Sequence, residues 1–104
     1  MITALVQFSL PQPITVAQAK AIFASTAPRY LGMDGLIRKY YVLSEDGQTA
    51  GGVYLWASRA AAERVYDGAW RAFVKEKYGT EPRLTYFETP VLVDNASGEI
   101  VHAE

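Results

Sequence analysis

Residues 35–56, GLIRKYYVLSEDGQTAGGVYLW, constrain the fold most, because they read as two strands joined by a polar turn that then run straight into a helix. Residues 36–43 are dense in aromatic and branched side chains, residues 44–50 collect Ser, Glu, Asp, Gly, Gln and Thr, and residues 51–56 return to strand formers. The turn is Ser44-Glu45-Asp46-Gly47, where glycine supplies the positive φ that such reversals require.

Residues 2–10 alternate Ile2, Ala4, Val6 and Phe8 with Thr3, Leu5, Gln7 and Ser9, a first strand that Pro11 and Pro13 stop. Thr15 is placed to cap a helix from Val16 to about Ala27, with an inward stripe of Ala19, Ile22, Phe23 and Thr26, and Pro28 opposes its continuation. Ser58 caps one second helix, which runs to Lys77 and Gly79 with a stripe of Ala62, Val65, Tyr66, Ala69 and Phe73. Residues 83–93 form a last strand-like run, bent or placed at an edge by Pro90. One domain over 1–94 and a polar tail over 95–104 are expected. The order β-α-β-β-α-β predicts a ferredoxin-like α+β sandwich, one antiparallel sheet with two helices on one face.

That sandwich leaves a sheet face uncovered. The strands carry large apolar residues on both sides: Ile2, Val6 and Phe8 against Leu5, and Val53 and Leu55 against Tyr54 and Trp56. Soluble monomers tolerate only a few hundred Å² of such surface, so a homodimer with sheets face to face is expected, with the segment after Pro90 available for exchange.

Composition narrows the function. A formal charge of -1, with basic residues spread along the chain, offers no surface for nucleic acid. The absence of cysteine excludes disulfides, thiolate catalysis and cysteine-held metals. No apolar run approaches the roughly 20 residues of a membrane span, and the N-terminal residues lack a basic leader, so a soluble cytoplasmic protein is expected.

Gly35-Leu36-Ile37-Arg38-Lys39, Ser44-Glu45-Asp46, Ala50-Gly51-Gly52-Val53-Tyr54-Leu55-Trp56 and Tyr86-Phe87-Glu88 together resemble the YdhR-type monooxygenase family over nearly the whole chain. The resemblance implies the dimeric α+β barrel superfamily, which includes the antibiotic biosynthesis monooxygenases, with the ligand held between sheet and helices. Haem-degrading members ligate iron through a histidine on the second helix, whereas the one histidine here is His102, in the tail. Neither haem nor another metal is expected. Gly51-Gly52 opens a strand and is no Gly-x-Gly-x-x-Gly, so no flavin or nicotinamide cofactor is expected and close backbone packing or a bulge explains the pair. The implied function is a cofactor-independent monooxygenase that joins molecular oxygen to a small aromatic or polycyclic compound. The alternatives are a non-catalytic small-molecule-binding dimer and a lactone isomerase-like enzyme.

Triplet oxygen reacts slowly with a closed-shell molecule until that molecule becomes an electron-rich anion, so such a pocket needs a proton acceptor and a cation or donor in apolar surroundings. Arg38 and Tyr66 are the catalytic candidates, and Gln7, Tyr40, Tyr54, Trp56 and Trp70 the substrate-binding ones. Glu88 or Asp67 is the nearest carboxylate base, and Ser25 lacks a histidine partner. Arg38 and Lys39 point to opposite faces of the second strand, and a shift of one residue exchanges Arg38 and Tyr40 for Lys39 and Tyr41.

Overall fold

The computed structural model describes residues 1–103. In chain order it contains β1 (Ile2–Ser9), α1 (Val16–Tyr30), β2 (Leu36–Leu43), β3 (Thr49–Trp56), α2 (Arg59–Val65), α3 (Gly68–Tyr78), β4 (Arg83–Glu88), β5 (Val91–Asp94) and β6 (Glu99–His102). The first four strands to pair form an antiparallel sheet in the order β2-β3-β1-β4, while β5 and β6 form a separate hairpin. This is the α+β ferredoxin-like arrangement. The turn between β2 and β3 closes as its residues dictate: Gly47 has φ 72° and its N–H donates to the Ser44 carbonyl at 2.9 Å.

Alternation along β1 selects the buried face. Ile2, Ala4, Val6 and Phe8 are buried under the helices, while Thr3, Leu5 and Gln7 point to the other side and are only half-buried. Register carries the same inward face into Ala50, Tyr54 and Trp56 of β3 and Leu84 and Tyr86 of β4. The helices return Ala19, Thr26 and Tyr30 from α1, Ala61 and Ala62 from α2, and Trp70 and Val74 from α3.

Three local features depart from the sequence expectation. The second helix is two helices. Tyr66 leaves helical geometry with ψ 55°, and Asp67 starts α3 by accepting the Trp70 N–H at 2.8 Å. The carboxylate considered as a base is therefore a helix cap. Secondly, α1 continues through Pro28 to Tyr30. Proline near a helix C-terminus removes only one late hydrogen bond, and Tyr30 pins that turn by burial and by accepting the Trp70 indole N–H at 3.1 Å. Thirdly, residues 99–102 of the expected tail pair with β5 as β6. Pro90 does end β4, and the chain turns there into this hairpin.

The hairpin crosses one end of the sheet's outer face. The Thr89 N–H donates to the Met1 carbonyl at 3.0 Å, the Thr89 and Thr3 hydroxyls share a hydrogen bond, and Asp94 pairs with Arg38 of the far edge strand at 2.7 Å. Much of that face stays open. Tyr40 and Phe87 remain about half exposed, at 54% and 52%, and Val91, Val93 and Ile100 of the hairpin are exposed as well.

The Asp67 cap gives a direct test of the broken helix. Asp67→Ala should cost about 1 kcal/mol in urea unfolding, by leaving the first turn of α3 without its acceptor. An unchanged midpoint would mean that α2 and α3 behave as one continuous helix.

Candidate functional site

A bulge decides what β2 offers to the helices. Leu36 pairs with Trp56 and Arg38 with Leu55, so Ile37 is an extra residue opposite β3. Unbroken alternation from the inward-facing Leu36 would turn Arg38 and Tyr40 inward. The bulge instead turns Lys39, Tyr41 and Leu43 to the helices and leaves Arg38, Tyr40 and Val42 on the outer face.

Lys39 consequently lies in a cage of tyrosine rings. Its Nζ is 3.5 Å from the centroid of Tyr30, 3.7 Å from that of Tyr41 and 4.5 Å from that of Tyr54. Among the described residues, no carboxylate pairs with it and no acceptor receives a hydrogen bond from it. Burial lowers its pKa to about 7, and the nearby positive charge of Arg29 pushes the same way. The ring faces offset part of the cost of keeping a charge there.

The surrounding cavity lies between sheet and helices. Phe8, Thr26, Phe73 and Tyr78 complete its wall with the Lys39 cage, and it holds about 20 Å³, room for about one water. Gly52 makes the space for the lysine arm. A Cβ there would lie 2.8 Å from Tyr54 Cε1 and 3.2 Å from Lys39 Cε. The guanidinium of Arg29 sits 4.2 Å above the Phe73 ring and bridges α1 to α3 beside the cavity. A wider groove of about 490 Å³ runs between α1 and the edge strand β2, but Lys20 is its one ionisable side chain apart from Tyr41.

Hydrogen bonds fix the tyrosines. Tyr41 and Thr26 share one between their hydroxyls at 2.8 Å, and Tyr30 accepts from Trp70. Behind the cage, Tyr66 accepts the Trp56 indole N–H at 3.0 Å. Tyr54 stacks on Trp56 and meets Tyr66 edge to face, and the Tyr66 and Trp70 rings lie 4.6 Å apart. Burial drives the phenols of Tyr54, Tyr66 and Tyr78 well above the ordinary tyrosine pKa, so they stay protonated donors at neutral pH. Tyr41 moves upward for the same reason, with the Thr26 bond opposing.

The residues singled out from sequence thus divide. Tyr54, Trp56, Tyr66 and Trp70 form one aromatic layer, of which Tyr54 lines the cavity and the other three lie behind it. Gln7, Arg38 and Tyr40 lie on the opposite face of the sheet, away from that cavity. There the Arg38 guanidinium donates to Asp94 at 2.7 Å and to the Tyr40 hydroxyl at 3.3 Å, and its hydrogen bond holds the Asp94 carboxyl below its usual pKa. Glu88 is exposed at the end of β4, and His102 is exposed on β6. Among the described residues, no group of His, Cys, Asp and Glu is arranged to hold a metal ion, and no helix is long and apolar enough to cross a membrane.

Residues 4–89 match the family described as "Putative mono-oxygenase ydhR". The chain belongs to the YdhR family. No curated protein matches it. Among solved structures, it is similar to SnoaB, a cofactor-independent oxygenase from Streptomyces nogalater, with 15% identity over 85% of this chain and 91% of that one, at a TM-score of 0.62. A monooxygenase from the ActVA-Orf6 gene of Streptomyces coelicolor, solved with nanaomycin D, is 21% identical over 85% and 86% of the two chains, with a TM-score of 0.63. An antibiotic biosynthesis monooxygenase-like structure from Deinococcus radiodurans gives a TM-score of 0.66 at 11% identity, covering 90% and 97%. At these identities the likeness establishes the fold that this YdhR-family chain shares with them.

Lys39 makes the stability of this YdhR-family protein depend on pH in a defined direction. Its pKa is about 7 folded and 10.5 unfolded, so between those values the unfolded chain holds a proton that the folded one has released. The lysine therefore makes stability rise with pH across that window, by up to about 1.4 kcal/mol per pH unit, and adds no slope below it. Lys39→Met should remove the slope and raise Tm at pH 7, and the gap to wild type should close towards pH 10. Parallel Tm profiles would show that the amine is not desolvated.

Proposed function

We propose that the protein is a cofactor-independent monooxygenase acting on a small aromatic or polycyclic compound, bound in the cavity between sheet and helices. The observation that carries this reading is the amine of Lys39, set among tyrosine faces at the inner wall of that cavity without a carboxylate partner. An aromatic ring finds stacking partners there, and an anion formed on it finds a cation in a low-dielectric site. Tyr54 and Tyr41 contribute phenolic donors, and Tyr66, Trp56 and Trp70 hold the rings in place. Family membership supports the reaction class, and the SnoaB likeness supports chemistry without a cofactor.

The cavity is smaller than a benzene ring, so a substrate enters by displacing side chains. Phe73 and the lysine arm are the ones placed to move, because Phe73 is only half-buried and Arg29 covers its outer face. The active form in this reading is a homodimer. Two open sheet faces, with Tyr40, Phe87 and the exposed valines of β5, cover each other, and the Arg38–Asp94 pair anchors the hairpin at the edge of that interface.

Oxygen uptake tests the reading. With anthrone-like substrates, one ring CH₂ and O₂ become a carbonyl and water, so one oxygen molecule should be consumed per quinone formed, with no flavin or metal added. Lys39→Met should lower kcat by about 10² or more. If phenols and anthrones bind without oxygen consumption, the protein is a small-molecule-binding dimer; uptake that requires an added cofactor would also contradict the proposal.

A further inference from the structure

Oxygen can attack a phenolic ring only after the ring has lost a proton, and few groups near the cavity could take it. Asp67 is engaged as the cap of α3, and Glu88 is exposed at the end of β4. The phenols of Tyr54, Tyr66 and Tyr78 are held protonated by burial. Lys39 differs from all of these, because its amine faces the cavity with no anion to hold its proton.

We infer that Lys39 is the proton acceptor of the site, and then the counter-ion, for an aromatic hydroxyl whose own acidity lies near neutrality, such as a phenol conjugated to a carbonyl or nitro group. The proton step rests on the geometry of the cavity, and its connection to oxygen chemistry rests on the function proposed above. In that step the O–H bond breaks, an N–H bond forms at Nζ, and the electron pair stays on oxygen. A neutral amine and a phenol become an ammonium and a phenolate, and no oxidant is needed.

The surroundings select this class of substrate. The titratable and charged groups facing the amine are Arg29 and Tyr30 of α1, Tyr41 of β2, Tyr54 of β3 and Tyr78 of α3, with no carboxylate among them. With its pKa brought to about 7, the amine exchanges a proton almost evenly with a phenol of matching acidity. An unactivated phenol, about three pKa units weaker, is disfavoured about a thousandfold. Once charged, Nζ sits on the tyrosine faces at 3.5 and 3.7 Å, and the phenolate becomes the anion that the cage lacks. Gly52 is part of this device, because any side chain there would press on Lys39 and Tyr54.

The test uses 4-nitrophenol, whose phenol and phenolate forms absorb at different wavelengths, with the full-length protein and no turnover. Below the dye's own pKa, the wild type should bind it and develop the phenolate band. Lys39→Met should bind it about tenfold more weakly and leave the phenol spectrum unchanged. Dye bound to the wild type in its phenol form would overturn the inference, and that measurement decides even if the variant does not fold. A phenolate band that persists in Lys39→Met would overturn it too. A Lys39-dependent band without oxygen uptake on any phenol would support the proton acceptor while removing the monooxygenase reading, whereas uptake with the dye bound as phenol would do the reverse.

Discussion

The single extra residue at Ile37 determines what the pocket of this molecule contains. By setting two residues of β2 against one of β3, the bulge rotates the rest of the strand and sends Lys39 and Tyr41 towards the helices. Without it, a guanidinium that no lowering of pKa could neutralise would occupy that position. An amine, unlike a guanidinium, can exist neutral or charged at physiological pH once it is desolvated. The chemistry assigned to the site follows from that exchange. The same rotation puts Arg38 outside, where it fastens the C-terminal hairpin through Asp94.

Around Lys39, two indole-to-phenol hydrogen bonds tie the cage to the core. Trp70 reaches from α3 to Tyr30 at the end of α1, and Trp56 reaches from β3 to Tyr66 at the end of α2. Each satisfies a buried N–H that would otherwise cost about 1–3 kcal/mol. They also explain two backbone irregularities by what those irregularities place. The extension of α1 past Pro28 delivers Tyr30, and the break after α2 lets Tyr66 and Trp70 pack together although they lie on either side of it. The site is thus held by elements that each depart from ideal geometry at one residue.

Most of the fold was legible in the chain. The alternation in residues 2–10, the Ser44–Gly47 reversal, and the caps at Thr15 and Ser58 are local signals, and each element stands where its signal lies. Tyr54 and Trp56 were legible as sharing one side of their strand and Tyr66 and Trp70 as sharing one helix face, but their meeting in one layer was not, and Ala69 of the expected inward stripe is exposed beside the buried Trp70. The inward face of β2 was harder to read, since a bulge between Leu36 and Arg38 is specified by pairing with β3 and not by the strand itself. Gln7 and Tyr40, expected to line the ligand space, stand on the face opposite the helices. Pro28 argues for a helix end before Tyr30, so the sequence leaves Tyr30 free either to close one end of a pocket or to cover the helix terminus, and its place inside the last turn of α1 was not legible. The β6 strand was hidden for another reason: Ile100 and Val101 are strand formers, but a run of four residues between polar neighbours is too short to signal a strand without its partner β5.

The central claim is that Lys39 lies desolvated in its tyrosine cage without an anion. An NMR titration of its ¹³Cε resonance, assigned by comparison with Lys39→Met, reads that state directly. The account predicts a midpoint of about 7 in the folded protein. A midpoint near the ordinary lysine value of about 10.4 would contradict it, and would mean that the amine reaches water instead of the cavity.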